Sequence, residues 1–445
     1  MLERFFRLKE NGTTVSRELT AGATTFMAMC YIIFVQPVIL SAAGMNKGAV
    51  MVATVLSSAI ATLIMGFYAN YPIALAPAMG HNFYFAFTVC GAVAMGGYGY
   101  SWQVALGAVF VSGVVFIILS FFGFRELIVN IIPPSLKYGI AVGIGLLIAF
   151  LGFEWSGLVV DTPGTLVGLG DIKSPPVLLS LFGLGLIFVL YLLRVPGAII
   201  LGMIGTALAG LLCGLVHYYG IVAKPPSISS TLFKLDIAGV FRSVDFLSII
   251  FVFFFLDLFD TVGTLVGVSE QAGFLKEGKL PRARQALFSD AVGTVSGALL
   301  GTSTVTSYIE SAAGVAAGGR TGLANVATAV LMLLSLFFYP VVEMVGGGYE
   351  MAKGVTLYPV IAPALIMVGS FMIRGVRKIN WDDPTEAFPA FLTMLVMPLT
   401  FSITEGIAFG FISLAFLKLI TGRGKELHWL IYLFAFLFVL RYILT

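Results

Sequence analysis

From Gly48 to Phe124 the chain runs for 77 residues without a single Lys, Arg, Asp or Glu. A soluble fold cannot cover its surface from such a stretch, because soluble domains carry roughly 25% charged residues. The chain as a whole is 59% hydrophobic and only 11% charged, and Ser174–Leu193 is a second charge-free run. A membrane-crossing helix needs about 20 mostly apolar residues, and more than a dozen such stretches are present. The sequence therefore reads as an all-α polytopic integral membrane protein.

Other classes are disfavoured. Met1–Leu19 is polar and mixed in charge, without the apolar core of a cleavable signal, so Thr20–Ala43 is read as both first span and insertion signal. Cys30, Cys90 and Cys213 all lie in apolar stretches and read as small buried side chains, not a disulfide framework. His81, His217 and His428 are scattered without ligand spacing, which argues against a metal site, and no cofactor motif is found. The net charge is +3 with basic residues spread over short loops, not the patch that a nucleic-acid binder shows.

Apolar segments fall near 20–43, 48–69, 73–93, 102–123, 132–153, 177–193 and 196–217. After the polar stretch Tyr218–Asp245 they resume near 246–268, 285–300, 305–318, 322–345 and 354–373, with shorter pieces near 386–401, 405–421 and 427–444. With the N-terminus in the cytoplasm, fifteen Lys and Arg through the twelfth segment fall inside and six outside, which supports that orientation. The inside set includes Arg125, Lys276 and Lys279, and the outside set Lys353. The pieces 386–401 and 405–421 read as two spans or as one bent element. About seven spans on each side of the polar stretch, some fourteen in all, make the second half enter with inverted topology.

Inverted repeats that bind substrate on discontinuous helices are a common transporter plan. The third apolar segment of each half carries the expected interruption: Ala76-Pro77-Ala78-Met79-Gly80-His81-Asn82 in the first and Gly301-Thr302-Ser303-Thr304-Val305-Thr306-Ser307-Tyr308-Ile309-Glu310 in the second. Each opens with residues that favour extended backbone and continues as a segment too short to span. The alternative is a loop before an ordinary helix. Irregular backbone at membrane depth, however, is tolerated only where it lines a cavity or is buried in protein.

Ionisable side chains inside spans are costly and usually functional. Asp257 and Asp260 sit mid-segment, three residues apart, hence on one helical face. Two carboxylates one turn apart repel, and burial penalises their charge further, so the pair suits uptake and release of a proton. Alternatively, one or both accept hydrogen bonds that only hold helices together. Thr261 and Thr264 follow as packing hydroxyls or site groups. Glu310 opens a run of small residues, Ser311 to Gly319, and sits near the positive end of a half-helix or caps it. Asn82 offers a donor and an acceptor at the matching break. His81 is read as a neighbour without a site role, and Glu405 as a membrane-boundary residue or part of the gate.

These motifs resemble the AzgA-like purine permeases, a branch of the nucleobase–cation symporters, the xanthine/uracil permease superfamily. The resemblance runs over most of the chain, from Glu18–Phe26 and Tyr31–Val35 through Ala76–Asn82 and Asp257–Leu265 to Ser303–Thr306, Ile309–Ser311 and Gly318–Leu323. It implies a seven-plus-seven inverted repeat of the UraA type. A core domain would comprise residues 1–125 and 246–346, and a gate domain 126–217 and 347–445, joined by an extramembrane linker, 218–245. It implies proton-coupled uptake of a purine nucleobase such as adenine, guanine or hypoxanthine across the cell membrane, with homodimer contacts through the gate. It places substrate contacts at Asp260, Glu310, Asn82, Thr264, Asp257 and Phe83, and proton coupling at Asp260, Asp257 and Glu310. Two positions depart from the pattern: Gln36 before Pro37 stands where Asn is expected, and His81-Asn82-Phe83 replaces an apolar residue, Asn and a small residue. Both can tune substrate choice.

Competing readings are a sulfate- or bicarbonate-type anion carrier of the same architecture, a xanthine or uracil permease, a channel, and a membrane enzyme. Three central acids repel an anion, and no Lys or Arg stands at the breaks to offset them. Sparse His and Cys leave an enzyme without a nucleophile–base pair or metal cluster, so enzymatic activity is not expected.

Overall fold

The computed structural model describes residues 2–93, 97–121, 132–162, 164–242, 245–274, 280–352 and 355–444. Arg125, Lys276, Lys279 and Lys353 of the charge count, and the 125/126 domain boundary, lie outside the described residues.

The first half contains α1 (Leu2–Phe6), α2 (Val15–Met29), α3 (Ile32–Ser41), α4 (Lys47–Ile64), strand β1 (Leu75–Pro77), α5 (Met79–Phe83), α6 (Trp102–Phe121), α7 (Pro134–Trp155), the hairpin β2 (Val159–Thr162) and β3 (Leu166–Leu169), α8 (Pro175–Leu192) and α9 (Ala198–Leu212). The connecting stretch holds only the short α10 (Ile237–Arg242). The second half contains α11 (Phe246–Ala272), α12 (Ala283–Leu300), β4 (Val305–Ser307), α13 (Ser311–Ala316), α14 (Leu323–Ser335), α15 (Tyr339–Gly346), the hairpin β5 (Tyr349–Ala352) and β6 (Val355–Leu357), α16 (Ala362–Met372), α17 (Pro384–Thr400), α18 (Ile403–Ile420) and α19 (Trp429–Leu444).

Eight helical stretches among the described residues are long and apolar enough to cross a membrane, which makes this a multi-pass membrane protein. The other apolar segments of the sequence are shorter or more polar helices, or strand-plus-helix pieces. Local signals set several starts. Thr14 caps α2, Asn46 caps α4 through the Ala49 N–H, and Ser402 caps α18 through the Glu405 N–H. The first span starts earlier than Thr20 and is interrupted at Cys30 and Tyr31. The two late pieces are distinct helices, α17 and α18, turned by Phe401 in the left-handed conformation (φ 50°) and packed on each other. The all-α expectation is corrected at two loops. There β2 pairs with β3 and β5 with β6, so backbone groups between helices satisfy one another in hairpins.

Helices from the two halves interleave in two groups. In one, α2 packs on α13 and α14, α4 on α12 and α14, and α6 on α11 and α12. In the other, α7 packs on α16, α17 and α18, and α8 on α9 and α16. Small residues permit this closeness, since apolar helices in lipid associate largely through van der Waals contact. A Cβ on Gly314 would stand 2.0 Å from the Thr25 hydroxyl, so α13 can lie against α2 only with glycine there.

The two interruptions meet. β1 and β4 pair antiparallel, Leu75 opposite Ser307, Ala76 opposite Thr306 and Pro77 opposite Val305. The ladder is extended by Ala78 N–H to Thr304 O (3.0 Å) and Tyr308 N–H to Ala74 O (2.9 Å). Each break thus satisfies the other's backbone, the condition for non-helical chain at membrane depth. Gly301, at φ 100°, ends α12 and starts the second break, a conformation that an L side chain rarely adopts.

A charge cluster joins the start of α17 to the end of α18. Lys418, 1% exposed, contacts Glu426 (2.7 Å), Asp383 (3.6 Å) and Glu386 (3.9 Å). Arg423 contacts Asp383 and Glu426, each at 2.7 Å. The Ser135 hydroxyl at the start of α7 donates to Glu386 Oε2 (2.6 Å).

Candidate functional site

The crossing of β1 and β4 puts three elements side by side: the short helix α5 after β1, the short helix α13 after β4, and the unbroken α11, which packs on both α5 and α13. The acids singled out from sequence lie on α11 and at the start of α13.

Asp257 and Asp260 share a turn of α11 and differ in how they are packed. Asp257 is fully buried and accepts from the Thr294 hydroxyl of α12 (3.2 Å), which itself also lies 3.0 Å from Val305 O. Thr261 and Thr264 follow Asp257 at helical spacing and are buried with it, Thr261 hydrogen-bonded to Thr306 of β4 (2.7 Å). Asp260 is turned by about 60° from that stripe. The residue keeps some open surface although protein atoms crowd its carboxylate, which stands within electrostatic range of Asp290 and Glu310. Asp257, by contrast, is packed on all sides.

Glu310 is half-buried and makes no side-chain cap to α13. Its Oε1 instead accepts from the Tyr31 hydroxyl at 2.7 Å. Tyr31 is 2% exposed and sits at the interruption between α2 and α3. The helix break in the first span therefore brings a phenol to the acid of the second half. Tyr308 ties the breaks together, its hydroxyl donating to Pro77 O (2.6 Å).

Asn82, on α5, is fully buried, and its Oδ1 accepts from the Ser303 hydroxyl. Ser303 also receives the Gln36 amide (3.3 Å), which donates to the Thr302 hydroxyl as well (2.9 Å). Phe83 is buried and stacks on Phe87, with centroids 5.9 Å apart. Both rings border a small apolar void with Leu147 and Leu151 of α7 and Phe401. Phe83 thus sits where the two helix groups meet. His81 is buried too.

The structure brings Asp260, Glu310 and Asp257 around one crossing, with Asn82 tied to the second break through Ser303. Thr264 is buried on α11, and Phe83 lies at the seam. Three residues were missed. Asp290, fully buried on α12, accepts from the Ser307 N–H (2.9 Å) and hydroxyl (3.3 Å) and so anchors β4. It is an ionisable residue inside an apolar segment, so the same test that selected Asp257 selects it. Glu18, fully buried, accepts from the backbone N–H groups of Arg320 (2.8 Å), Thr321 (3.2 Å) and Ala324 (3.2 Å), holding the start of α14. Tyr31 had no local signal, because its role comes from a partner 279 positions away. Glu405 lies in the first turn of α18 and accepts from the Tyr442 hydroxyl, a helix-to-helix tie.

Two interrupted segments that cross inside a bundle of apolar helices, with carboxylates and amides gathered on them, define a membrane transporter. The sequence model described as a permease family, that of xanthine and uracil permeases, matches residues 16–409. The chain is 53% identical to a permease of Methanocaldococcus jannaschii, over 99% of this chain and 98% of that one. It is 44% identical to the adenine permease AdeP of Escherichia coli (99% and 96% covered) and 45% to the guanine/hypoxanthine permease PbuG of Bacillus subtilis (99% of each). The fold is shared with the transmembrane domain of the cyanobacterium bicarbonate transporter BicA, with a TM-score of 0.62 at 16% identity over 89% of this chain and 97% of that one. The chain belongs to the xanthine/uracil permease family, in its AzgA-like branch.

Proposed function

We propose that the protein imports purine nucleobases across the cell membrane as a proton-coupled secondary transporter. The observation that carries this is the Asp260 carboxylate within electrostatic range of the tyrosine-held Glu310, at the crossing of the two breaks. A purine presents N–H donors and ring-nitrogen acceptors on rigid edges. A carboxylate accepts two parallel N–H bonds from guanine. A protonated acid suits adenine, donating to a ring nitrogen while accepting from the amino group. Such a site rejects isosteres that leave its buried groups unpaired. Relatives named as adenine and guanine/hypoxanthine permeases support the substrate class.

Asp260 is the proposed substrate acid on α11 and Glu310 its partner. Asp257 acts from its buried position on α11, Asn82 and Thr264 complete the polar set, and Phe83 is the aromatic contact. Protonation at Asp260, Asp257 or Glu310 accompanies binding. The interleaved helices support a core of residues 1–125 and 246–346 moving against a gate of 126–217 and 347–445, with 218–245 between them. Alternating access then arises from a seven-plus-seven repeat of the UraA type, N-terminus inside, with homodimer contacts through the gate. An anion carrier of this fold would have to hold its anion against the carboxylates gathered at the crossing.

The test is uptake into proteoliposomes of adenine, guanine, hypoxanthine, xanthine, uracil and sulfate. The expected result is accumulation of one or more purines under an inward proton gradient, abolished by a protonophore. Binding of none of the bases sinks the proposal. Uptake that only equilibrates points to a channel, and sulfate uptake to the anion reading.

A further inference from the structure

The wiring behind Asn82 carries a direction. Ser303 has one hydroxyl proton. It receives an N–H from Gln36 Nε2 and gives its own proton to Asn82 Oδ1. Both amides are fully buried, and the hydrogen-bond chain between them leaves one loose atom at each end. Gln36 Oε1 and Asn82 Nδ2 have no hydrogen-bond partner among the described residues. Leaving a buried donor unmade is expensive, and such atoms call for an explanation. At the Gln36 end, Nε2 also donates to Thr302, whose hydroxyl lies 3.3 Å from that of Thr54, so this end is tied to α4 and to the second break. The Asn82 end lies on α5, next to Phe83 at the seam between the helix groups. The loose donor is therefore on the element that a moving gate would uncover.

We propose that Gln36, acting through Ser303, is a positioning residue that fixes the Asn82 amide with its NH₂ group free for substrate, so that the transported base meets Asn82 with a hydrogen-bond acceptor. This rests on the reading that Asn82 faces a purine. It assigns polarity within the site: carboxylates at Asp260 and Glu310 for the donor edge of the base, and the Asn82 NH₂ for a ring nitrogen or the 6-oxygen. It also gives Gln36 a role that packing alone does not. A carboxylate at position 36 accepts the Ser303 proton. Ser303 must then accept from Asn82 Nδ2, and the Asn82 amide turns its oxygen to the substrate.

The experiment measures binding to the reconstituted full chain. The probes are adenine and hypoxanthine, with analogues in which N1, N3, N7 or O6 is replaced one at a time by a group that accepts no hydrogen bond. Wild type should bind one analogue of the series about tenfold more weakly than its parent, the scale of one neutral hydrogen bond. Asn82→Ala, Ser303→Ala and Gln36→Leu should each bind that analogue and its parent equally well, and Gln36→Leu combined with Asn82→Ala should discriminate no less than Asn82→Ala alone. Gln36→Glu should reverse the preference. The proposal is overturned if Gln36→Leu and Ser303→Ala keep the wild-type discrimination, or if they weaken every base by the same factor, as a merely structural role would. Ser303→Ala removes a single oxygen and keeps the test open should the Gln36 variants not fold. Failure of wild type to bind any base overturns the purine reading itself, and the role of the relay with it.

Discussion

The protein keeps its acids in two kinds of company. At the crossing of the breaks, Glu310 takes a hydrogen bond from Tyr31, Asp257 from Thr294 and Asp290 from Ser307. At the α17–α18 end, Asp383, Glu386 and Glu426 surround Lys418, and Arg423 reaches two of them. The difference is one of reversibility. A cation beside a carboxylate favours the charged form and holds it. A hydroxyl can donate to a carboxylate and accept from a carboxylic acid, so it serves both protonation states. Hydroxyl partners suit acids that exchange protons and ligands. Cation partners suit acids that tie helices.

Removing a charge should therefore do opposite things in the two places. Glu310→Gln should lower purine uptake by roughly a thousandfold, the scale of losing a buried charged contact, while leaving the melting temperature near wild type. Asp260→Asn should act alike. Full accumulation in both variants would break the site assignment. Lys418→Met keeps side-chain length but takes the cation from Glu386 and leaves Asp383 and Glu426 to Arg423 alone. It should cost about 3 kcal/mol in stability, measured by thermal melting in detergent. Uptake per folded molecule should be kept. Loss of transport without loss of stability would show that the cluster belongs to the working site and dissolve the comparison.

Much of this contrast is legible in the chain, for a physical reason. Apolar runs are read as spans because the bilayer sets their length, and an acid inside one stands out because it is costly. Asp257, Asp260 and Glu310 were visible on that ground, and the paired extended stretches were visible from their residues, which form β1 and β4. What sequence spacing cannot give is direction. Asp257 and Asp260 sit one turn apart, yet one is fully buried and the other keeps open surface, a difference set by which helices pack around α11. Partners from distant segments are equally hidden. Tyr31 at Glu310, and Glu18 at the start of α14, follow only from how the halves interleave. The hairpins β2–β3 and β5–β6 were missed because their strands are too short to stand out from loop composition.

Tyr31→Phe sharpens the hydroxyl side of the comparison with a smaller effect. It removes one oxygen from a 2.7 Å contact and leaves the ring in place. Purine affinity should fall by about tenfold, the cost of one hydrogen bond to a charged group, and the pH dependence of uptake should move. An unchanged pH profile would mean that the phenol only packs.

The smallest effect lies in the cation cluster and appears as acid sensitivity. Hydrogen bonds from Arg423 and then Lys418 hold Glu426 below the usual carboxylate range, to about 2, and the Thr385 hydroxyl followed by Arg423 holds Asp383 lower still. Both acids lie in the connections that flank α17 and α18, outside the membrane-spanning segments. A depressed value in the folded state means that the unfolded chain binds protons first, so the stabilisation is complete above the unfolded carboxylate value of about 4. It is lost as pH falls from there through about 2 for Glu426. Glu426 is open to solvent, so screening keeps its share small. The melting temperature should accordingly fall by a few degrees over that window in wild type. Arg423→Gln removes the first-named cause for Glu426 and a contributing one for Asp383, so it should flatten that fall while leaving melting at neutral pH only slightly lower. Salt should mimic the variant, because exposed ion pairs weaken with ionic strength. A variant that keeps the wild-type acid profile would mean that these carboxylates are held by something other than their cations, and the contrast with the hydroxyl-held acids at the crossing of the breaks would lose its basis.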